Sequence, residues 1–334
     1  MTRHRLALIA PVHNEEGNLG PFFQRASASA ATLGEPVDTR FVFVDDGSTD
    51  GSLQVLESLA ARDERVVVIR LVRNWGSHAA IKAALTTVEA DFYVALSVDL
   101  QDPPELIAGF YAKAEADRTD VVWGVRASRD DPALKKLFAS AFYSVIRAIA
   151  LPNLPKVGVD TFLISRRVRD DYLSIRERDT MPYYLMMWLG YPQSFLPYHR
   201  AARHSGTSKW TLRKRFKNAF DSILSFSSLP IRMITYVGIL LFLGAGVLAT
   251  ILVINKIFGY PAPGWTGTAL LVTVAMGVQT LMLAIIAQYV WRIGEVVRGR
   301  PEFLVDRVIG GGDAASPPPP EAQTDAPRER RRKA

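Results

Sequence analysis

The sequence predicts an α/β protein built on a mostly parallel sheet, with an apolar region near its C-terminus. Three observations carry that expectation. Over the first 200 residues, short β-branched runs alternate with stretches of helical periodicity. Apolar runs such as FVFV (41–44) lack in/out alternation, as strands covered on both faces should. Further on, residues 233–254 and 266–291 form runs of 22 and 26 residues without a charged side chain.

In chain order, strands are expected at 5–11, 40–45, 66–71, 92–97, 121–125 and 160–165. Helices are expected at 17–33, 51–61, 78–88 and 104–116. Two further segments read as amphipathic helices. Leu134, Leu137, Phe138, Ala141, Phe142, Val145, Ile146 and Ile149 make a helical stripe that suits core packing. Leu212, Phe216, Ala219, Phe220, Ile223 and Leu224 make a second stripe, opposite basic residues and running into an apolar span. That pattern suits a helix lying in the membrane interface.

At about 1.5 Å per residue, each long apolar run exceeds a ~30 Å hydrocarbon core. Both are expected to cross a membrane as a hairpin joined by residues 255–265. Arg213, Lys214, Arg215, Lys217 and Arg232 precede the first run, and Arg292, Arg298, Arg300 and Arg307 follow the second. The connecting loop carries only Lys256. The positive-inside rule then places both termini in the cytoplasm. The apolar run 6–12 is too short for a signal-peptide core, which agrees with that orientation. Gly238, Gly244, Gly246 and Gly277 allow close helix packing, within the hairpin or in a homo-oligomer. The organisation expected is a catalytic domain over 1–210, a basic interfacial helix over 211–232 and a transmembrane hairpin over 233–291. A juxtamembrane segment follows over 292–309, then a Gly-, Pro- and charge-rich disordered tail over 310–334.

Charge and composition narrow the chemistry. Residues 199–232 hold eight basic residues and one acid, which accounts for the whole net charge of +7. This patch immediately precedes an apolar span, so an anionic membrane is a simpler partner than nucleic acid. The absence of cysteine excludes a disulfide scaffold, a thiolate zinc site and a Cys nucleophile. There is no GxGxxG after the first strand and no GxxxxGK[ST], which argues against a dinucleotide site and a P-loop.

What remains is a set of acid-rich turns at strand carboxyl ends, where open α/β sheets bind ligands. The first strand runs into PVHNEEGN, the second into VDDGSTDGS and the fourth into SVDLQDPP. Carboxylates with Gln101 supply oxygen ligands, which suit Mg²⁺ or Mn²⁺ bridging to a substrate phosphate.

PVHNEEGNL, FVDDGSTDGS, RNWGSHAA and VDLQDPP together resemble the nucleotide-sugar half of a family 2 glycosyltransferase with the GT-A (Rossmann-like) fold. GVRASRDD, VGVDTFLISRR, YHRAARHSGTSKW and the terminal hairpin are similar to the polyprenyl-phosphate group, which includes dolichyl-phosphate mannose synthases and bactoprenol glucosyltransferases. The likeness runs in order from residue 5 to residue 309. It implies an inverting transfer of a sugar from a UDP- or GDP-linked donor to a polyprenyl phosphate. On the donor side it implicates Pro11, His13, Glu15, Asp45, Asp46, Arg73, Asp99 and Gln101, with Asp99 and Gln101 holding the metal. Arg200, Arg203, Ser208 and Lys209 would meet the acceptor phosphate, with Arg126 and Arg129 nearby and Asp160 orienting the nucleophile. Three positions depart from the family pattern. His13 stands where Tyr is usual, Phe162 where Arg is frequent, and Ser97 where the metal motif begins with Asp. The loss at Ser97 keeps open a second reading, a catalytically impaired membrane scaffold. A processive polysaccharide synthase is disfavoured, since Arg-Trp does not occur in the chain.

Overall fold

The computed structural model describes residues 4–34, 37–126, 159–175, 181–199, 229–258 and 265–311. The chain divides into two compact units. Met1–Ala219 with Pro301–Ala334 form one, and Phe220–Arg300 the other.

The first unit is an eight-stranded sheet with helices on both faces. Its elements are β1 (His4–Val12), α1 (Glu16–Ala31), β2 (Val37–Asp45), α2 (Ser52–Arg62), β3 (Val66–Leu71), α3 (Ser77–Thr87), β4 (Phe92–Ala95) and α4 (Leu106–Asp117). Then come β5 (Val121–Arg126), β6 (Val159–Ser165), α5 (Arg166–Ser174), α6 (Pro182–Trp188), β7 (Gln193–Tyr198) and, much later, β8 (Val305–Gly310).

The strand order is β7-β5-β6-β4-β1-β2-β3-β8. β1, β2, β3 and β4 run parallel, with β1 between β2 and β4. The winding therefore reverses across β1, the kind of switch point at which open sheets form a ligand crevice. The sheet is mixed beyond those four strands. β6 is antiparallel to both β4 and β5, β7 is parallel to β5, and β8 is antiparallel to β3. One edge of the sheet thus gathers the carboxyl ends of β1 to β5 and β7, and the amino ends of β6 and β8.

Burial explains why the central strands lack alternation. Leu6, Leu8 and Ala10 of β1 and Phe41 and Phe43 of β2 pack with Leu19, Phe22 and Ala26 of α1. Ala7, Ile9, Val42 and Val44, which alternate with them, are equally buried, and α3 covers that face. Phe22 meets Phe43 edge-on at 6.1 Å between ring centroids. Truncating such a ring costs about 3–5 kcal/mol.

The second unit holds two long helices, α7 (Leu229–Ile257) and α8 (Trp265–Val297). They approach where a Cβ on Gly238 would lie 3.3 Å from the Met282 methyl. Thr250 and Thr280 donate their hydroxyls to the carbonyls of Gly246 and Met276 one turn earlier. Such bonds satisfy polar groups within the helix itself, as a lipid setting requires. Among the described residues, the stretch with the length and composition to cross a membrane is Val274–Trp291 in α8, with mean hydropathy 1.6.

The structure differs from the sequence expectation at several points, among them the helices α5 and α6, which were not expected. The fourth strand stops at Ala95 rather than 97, because the chain turns to present Ser97 to Gln101. The sheet carries three antiparallel pairs, since strand direction outside βαβ units is not encoded locally. β7 and β8 were not foreseen as strands, being short, half-exposed edge strands with weak patterns. Among the described residues one stretch passes as a candidate span, so the second span of the expected hairpin is not shown. The helices expected at 134–149 and 211–229, apart from residue 229, lie outside the described residues, as does the tail beyond residue 311.

Candidate active site

The acid-bearing turns after β1, β2 and β4 meet at the switch point. In the register of the sheet Val12 faces Asp45, and the Asp46 N–H donates to the Val12 carbonyl at 2.8 Å. The first two turns are stitched together. Asn14 N–H donates to Ser48 Oγ at 3.0 Å, Thr49 N–H to Asn14 Oδ1 at 2.8 Å, and Glu15 N–H to Ser52 Oγ at 2.9 Å. Glu15 Oε2 accepts from Asn18 Nδ2 at 2.6 Å, so Glu15 is held by the first turn of α1. Pro11, in the last turn-facing part of β1, is half-buried.

The adjacent acids Asp45 and Asp46 do different work. Both are buried, at 0% and 2% exposure. The Asp46 carboxylate accepts the N–H groups of Trp75 at 2.6 Å and Gly76 at 2.8 Å, and so fixes the turn that leads into α3. The Asp45 Oδ1 accepts the Ser48 N–H at 3.1 Å, while its Oδ2 is buried with no hydrogen-bond partner. An unpaired buried carboxylate oxygen is costly and calls for a ligand donor.

Gly47 explains how the loops approach so closely. Its φ is +64°, and a Cβ there would lie 2.6 Å from the Arg73 carbonyl carbon. The Arg73 guanidinium lies 3.7 Å above the Trp75 ring, a flat cationic surface beside the acids. His13 Nδ1–H donates to the Asp46 carbonyl at 3.0 Å, which fixes its tautomer.

Backbone strain marks the same turns. Asn14 and Leu100 have left-handed φ values of 55° and 58°. A buried leucine in that region is sterically costly and persists only where its surroundings impose it. Leu100 sits between Asp99 and Gln101 and turns the chain so that the Gln101 N–H donates to Asp99 Oδ1 at 3.2 Å. Asp99 is 4% exposed, while Ser97 and Gln101 are half-buried.

Among the described residues no three His, Cys, Asp or Glu side chains converge to hold a metal. The groups in this turn that could take part in holding one are a buried carboxylate and an amide, Asp99 and Gln101. That set suits a hard divalent ion that takes its other ligands from a diphosphate and water.

β5, β6 and β7 extend the sheet beyond β4. Arg126 ends β5 at this edge. Asp160 lies in β6 opposite a break in the β5 register between Gly124 and Val125; such irregularities accompany active sites and re-aim side chains. The next residue, Thr161, is fully buried and donates its hydroxyl to the Ala95 carbonyl. Phe162 is also fully buried, edge-on to Trp123 at 6.1 Å and to Tyr183 of α6 at 5.6 Å. The ring that replaces an arginine is therefore core. Arg129, Arg200, Arg203, Ser208 and Lys209 lie outside the described residues.

Several participants were not singled out from the sequence. Tyr198, the last residue of β7, donates its hydroxyl to buried Asp102 at 2.6 Å and so joins the SVDLQDPP turn to the end of β7. Tyr183 packs on His78 at 5.7 Å, and burial near Asp102 pushes its phenol pKa well up. Burial pushes His78 down to about 4, which keeps it neutral near pH 7. The one signal for Tyr198 was its place at the start of YHRAARHSG.

The comparison with known families shows a glycosyltransferase. The chain belongs to glycosyl transferase family 2, whose model matches residues 7–173, and it is a glycosyltransferase. It is 31% identical over 307 residues to an uncharacterized glycosyltransferase of Synechocystis, covering 91% of this chain and 96% of that one. It is 30% identical over 305 residues to the SfII prophage-derived bactoprenol glucosyl transferase of Shigella flexneri, covering 91% and 98%. It is also 30% identical over 313 residues to the undecaprenyl-phosphate 4-deoxy-4-formamido-L-arabinose transferase of Yersinia enterocolitica, covering 92% and 94%.

Proposed function

We propose that this protein is a membrane-anchored, inverting transferase. It moves a sugar from a UDP- or GDP-linked donor to the phosphate of a polyprenol on the cytoplasmic leaflet. The observation that carries the reading is that the β1, β2 and β4 turns lie side by side at one edge of the sheet, where Asp45 keeps a buried oxygen without a hydrogen-bond partner. The near full-length likeness to polyprenyl-phosphate sugar transferases supports the acceptor class.

In this reading Asp45 accepts a donor hydrogen from the nucleoside, and Arg73 and His13 flank the base. Pro11 and Glu15 shape the wall beside it. Asp99 and Gln101 would hold Mg²⁺ or Mn²⁺. Such an ion, when bound, supplies charge stabilisation for the leaving diphosphate. Ser97 leaves that grip one carboxylate short of the family pattern, so Asp99 and Gln101 would depend on the donor's phosphate oxygens to hold the ion.

The acceptor phosphate is an anion approaching another anion, and cations must offset the repulsion. Arg126 at the end of β5 is one, with Arg129 after it. β7 ends at the Tyr198–Asp102 bond, which supports assigning the next segment, with Arg200, Arg203, Ser208 and Lys209, to the acceptor phosphate. Guanidinium groups suit bidentate phosphate contacts. The acceptor is already ionised near neutral pH, so Asp160 would orient it rather than act as a strong base.

Chain connectivity supports the hairpin. The chain leaves the sheet after β7 and rejoins the same sheet as β8. A sheet lies on one side of a membrane, so any crossings between residues 199 and 305 are even in number. With α8 as one span, α7 is the second. Transfer from a nucleotide sugar to undecaprenyl phosphate by the purified full-length protein tests the reading. No transfer from any donor, with nucleotide binding retained, favours the impaired-scaffold reading that Ser97 suggests.

A further inference from the structure

We propose that residues 301–311, which rejoin the sheet after the apolar helices, are a working part of the donor site. They fasten the Arg73–Gly76 turn, with Lys82 and Glu302 as its positioning residues. This rests on the donor-site reading above.

The segment is anchored at every step. Gly310 has φ +77°, and a Cβ there would lie 2.4 Å from the Val66 carbonyl, so only glycine lets β8 close on β3 at that end. Arg307 pairs with Glu57 of α2 at 2.9 Å, and Arg40 donates to the Gly311 carbonyl at 3.0 Å. Phe303 is buried at 5% exposure. Glu302 meets Lys82 of α3 at 2.7 Å, with side chains 25% and 14% exposed. Partial desolvation makes this pair worth more than a surface ion pair, and its rupture leaves a half-buried charge.

The ladder continues past β3 into the turn. The Val72 N–H donates to the Leu304 carbonyl at 3.0 Å. The Val72 side chain is 59% exposed, so its packing contributes little to holding the backbone at this point. The next residue is Arg73, stacked on Trp75. The turn is thus gripped from two sides, by Asp46 through Trp75 and Gly76, and by the returning segment through Val72 and, one turn into α3, Lys82. Without the segment β3 becomes an open edge, and the turn keeps its Asp46 anchor alone. Coupling of this kind is reciprocal, so a nucleotide that orders the turn must also tighten the segment.

The test uses full-length protein in detergent micelles with UDP and GDP as probes, each with Mn²⁺. The variants are Glu302→Gln, Lys82→Met and the swap Lys82→Glu/Glu302→Lys. Each single variant should weaken nucleotide binding and raise donor KM about tenfold, an ordinary size for coupling. The kcat should stay close to the parent value, and the swap should recover most of the loss. Hydrogen exchange should quicken at residues 72–76 in the single variants and not at 41–45. In the parent protein, nucleotide should slow exchange at 302–310. Unchanged binding and exchange in both single variants overturn the proposal. So does exchange that rises across the whole sheet with kcat and KM changing together, since that is a merely structural effect. A parent protein that binds neither UDP nor GDP overturns the donor-site reading and this role with it. A parent that binds, beside variants that bind equally well, overturns this role alone.

Discussion

The carboxylate of Asp46 holds the backbone of Trp75: one oxygen accepts the Trp75 N–H at 2.6 Å, the other that of Gly76 at 2.8 Å. Asn at this position would present an NH₂ to one of those donors and lose the charge. Hydrogen bonds to a charged group are worth about 1.5–3 kcal/mol. Asp46→Asn should weaken nucleotide binding roughly 10- to 100-fold, measured by calorimetry, although Asp46 need not touch the ligand. Asp45→Asn should weaken binding without quickening exchange at the Trp75 and Gly76 amides.

Gly47 is the point at which the β2 turn meets the Arg73 turn. Any side chain there meets the Arg73 backbone at 2.6 Å in a left-handed conformation. Backbone cannot move aside as a flexible side chain can. Gly47→Ala should cost about 1–3 kcal/mol, seen as a lower melting temperature and a weaker response to nucleotide.

His78 makes the fold acid-sensitive. Its folded pKa, near 4, lies below the unfolded value of 6.5 because burial disfavours the cation. The unfolded state therefore binds the extra proton first as pH falls. The stabilising contribution is full above about pH 6.5 and is lost as pH drops toward 4. Between pH 7 and pH 5 the loss should be about 1–2 kcal/mol. His78→Phe, which keeps a ring against Tyr183, should flatten the pH dependence of stability in that window.

Much of this site was legible because its acids directly follow runs that could only be buried strands. FVFVDDGS and FYVALSVD announce both a strand and its carboxyl end. The division of labour between Asp45 and Asp46 was not legible. It depends on where β2 stops and which way each side chain leaves the pleat, which tertiary contacts decide. Tyr198 and Glu302 were hidden for a related reason. QSFLPY is an edge strand that buries Ser194 and Tyr198 and exposes Phe195, and Glu302 precedes the edge strand VDRVIG, none of whose residues is fully buried, so neither pattern is informative. Their partners, Asp102 and Lys82, are 96 and 220 residues away in sequence.

The absence of native cysteine makes the hairpin directly testable. A single cysteine at Ala262, between α7 and α8, should react with a membrane-impermeant maleimide added to intact cells. One at Ala314 should react only after the membrane is opened. Equal protection of both positions would contradict the hairpin, since α8 would then not separate them.

The proposed activity is sugar transfer to a lipid-linked phosphate at the sheet edge that carries Asp45 and Asp99. The most direct measurement is a panel of UDP- and GDP-sugars with purified full-length protein, undecaprenyl phosphate and a titration of Mn²⁺. One donor should give a lipid-linked sugar of inverted anomeric configuration. Asp99→Asn should cut turnover about 100-fold or more, the scale of a lost transition-state contact. Ser97→Asp should lower the Mn²⁺ concentration needed for half-maximal rate. Transfer that persists undiminished in Asp99→Asn and in the presence of chelator would contradict the account.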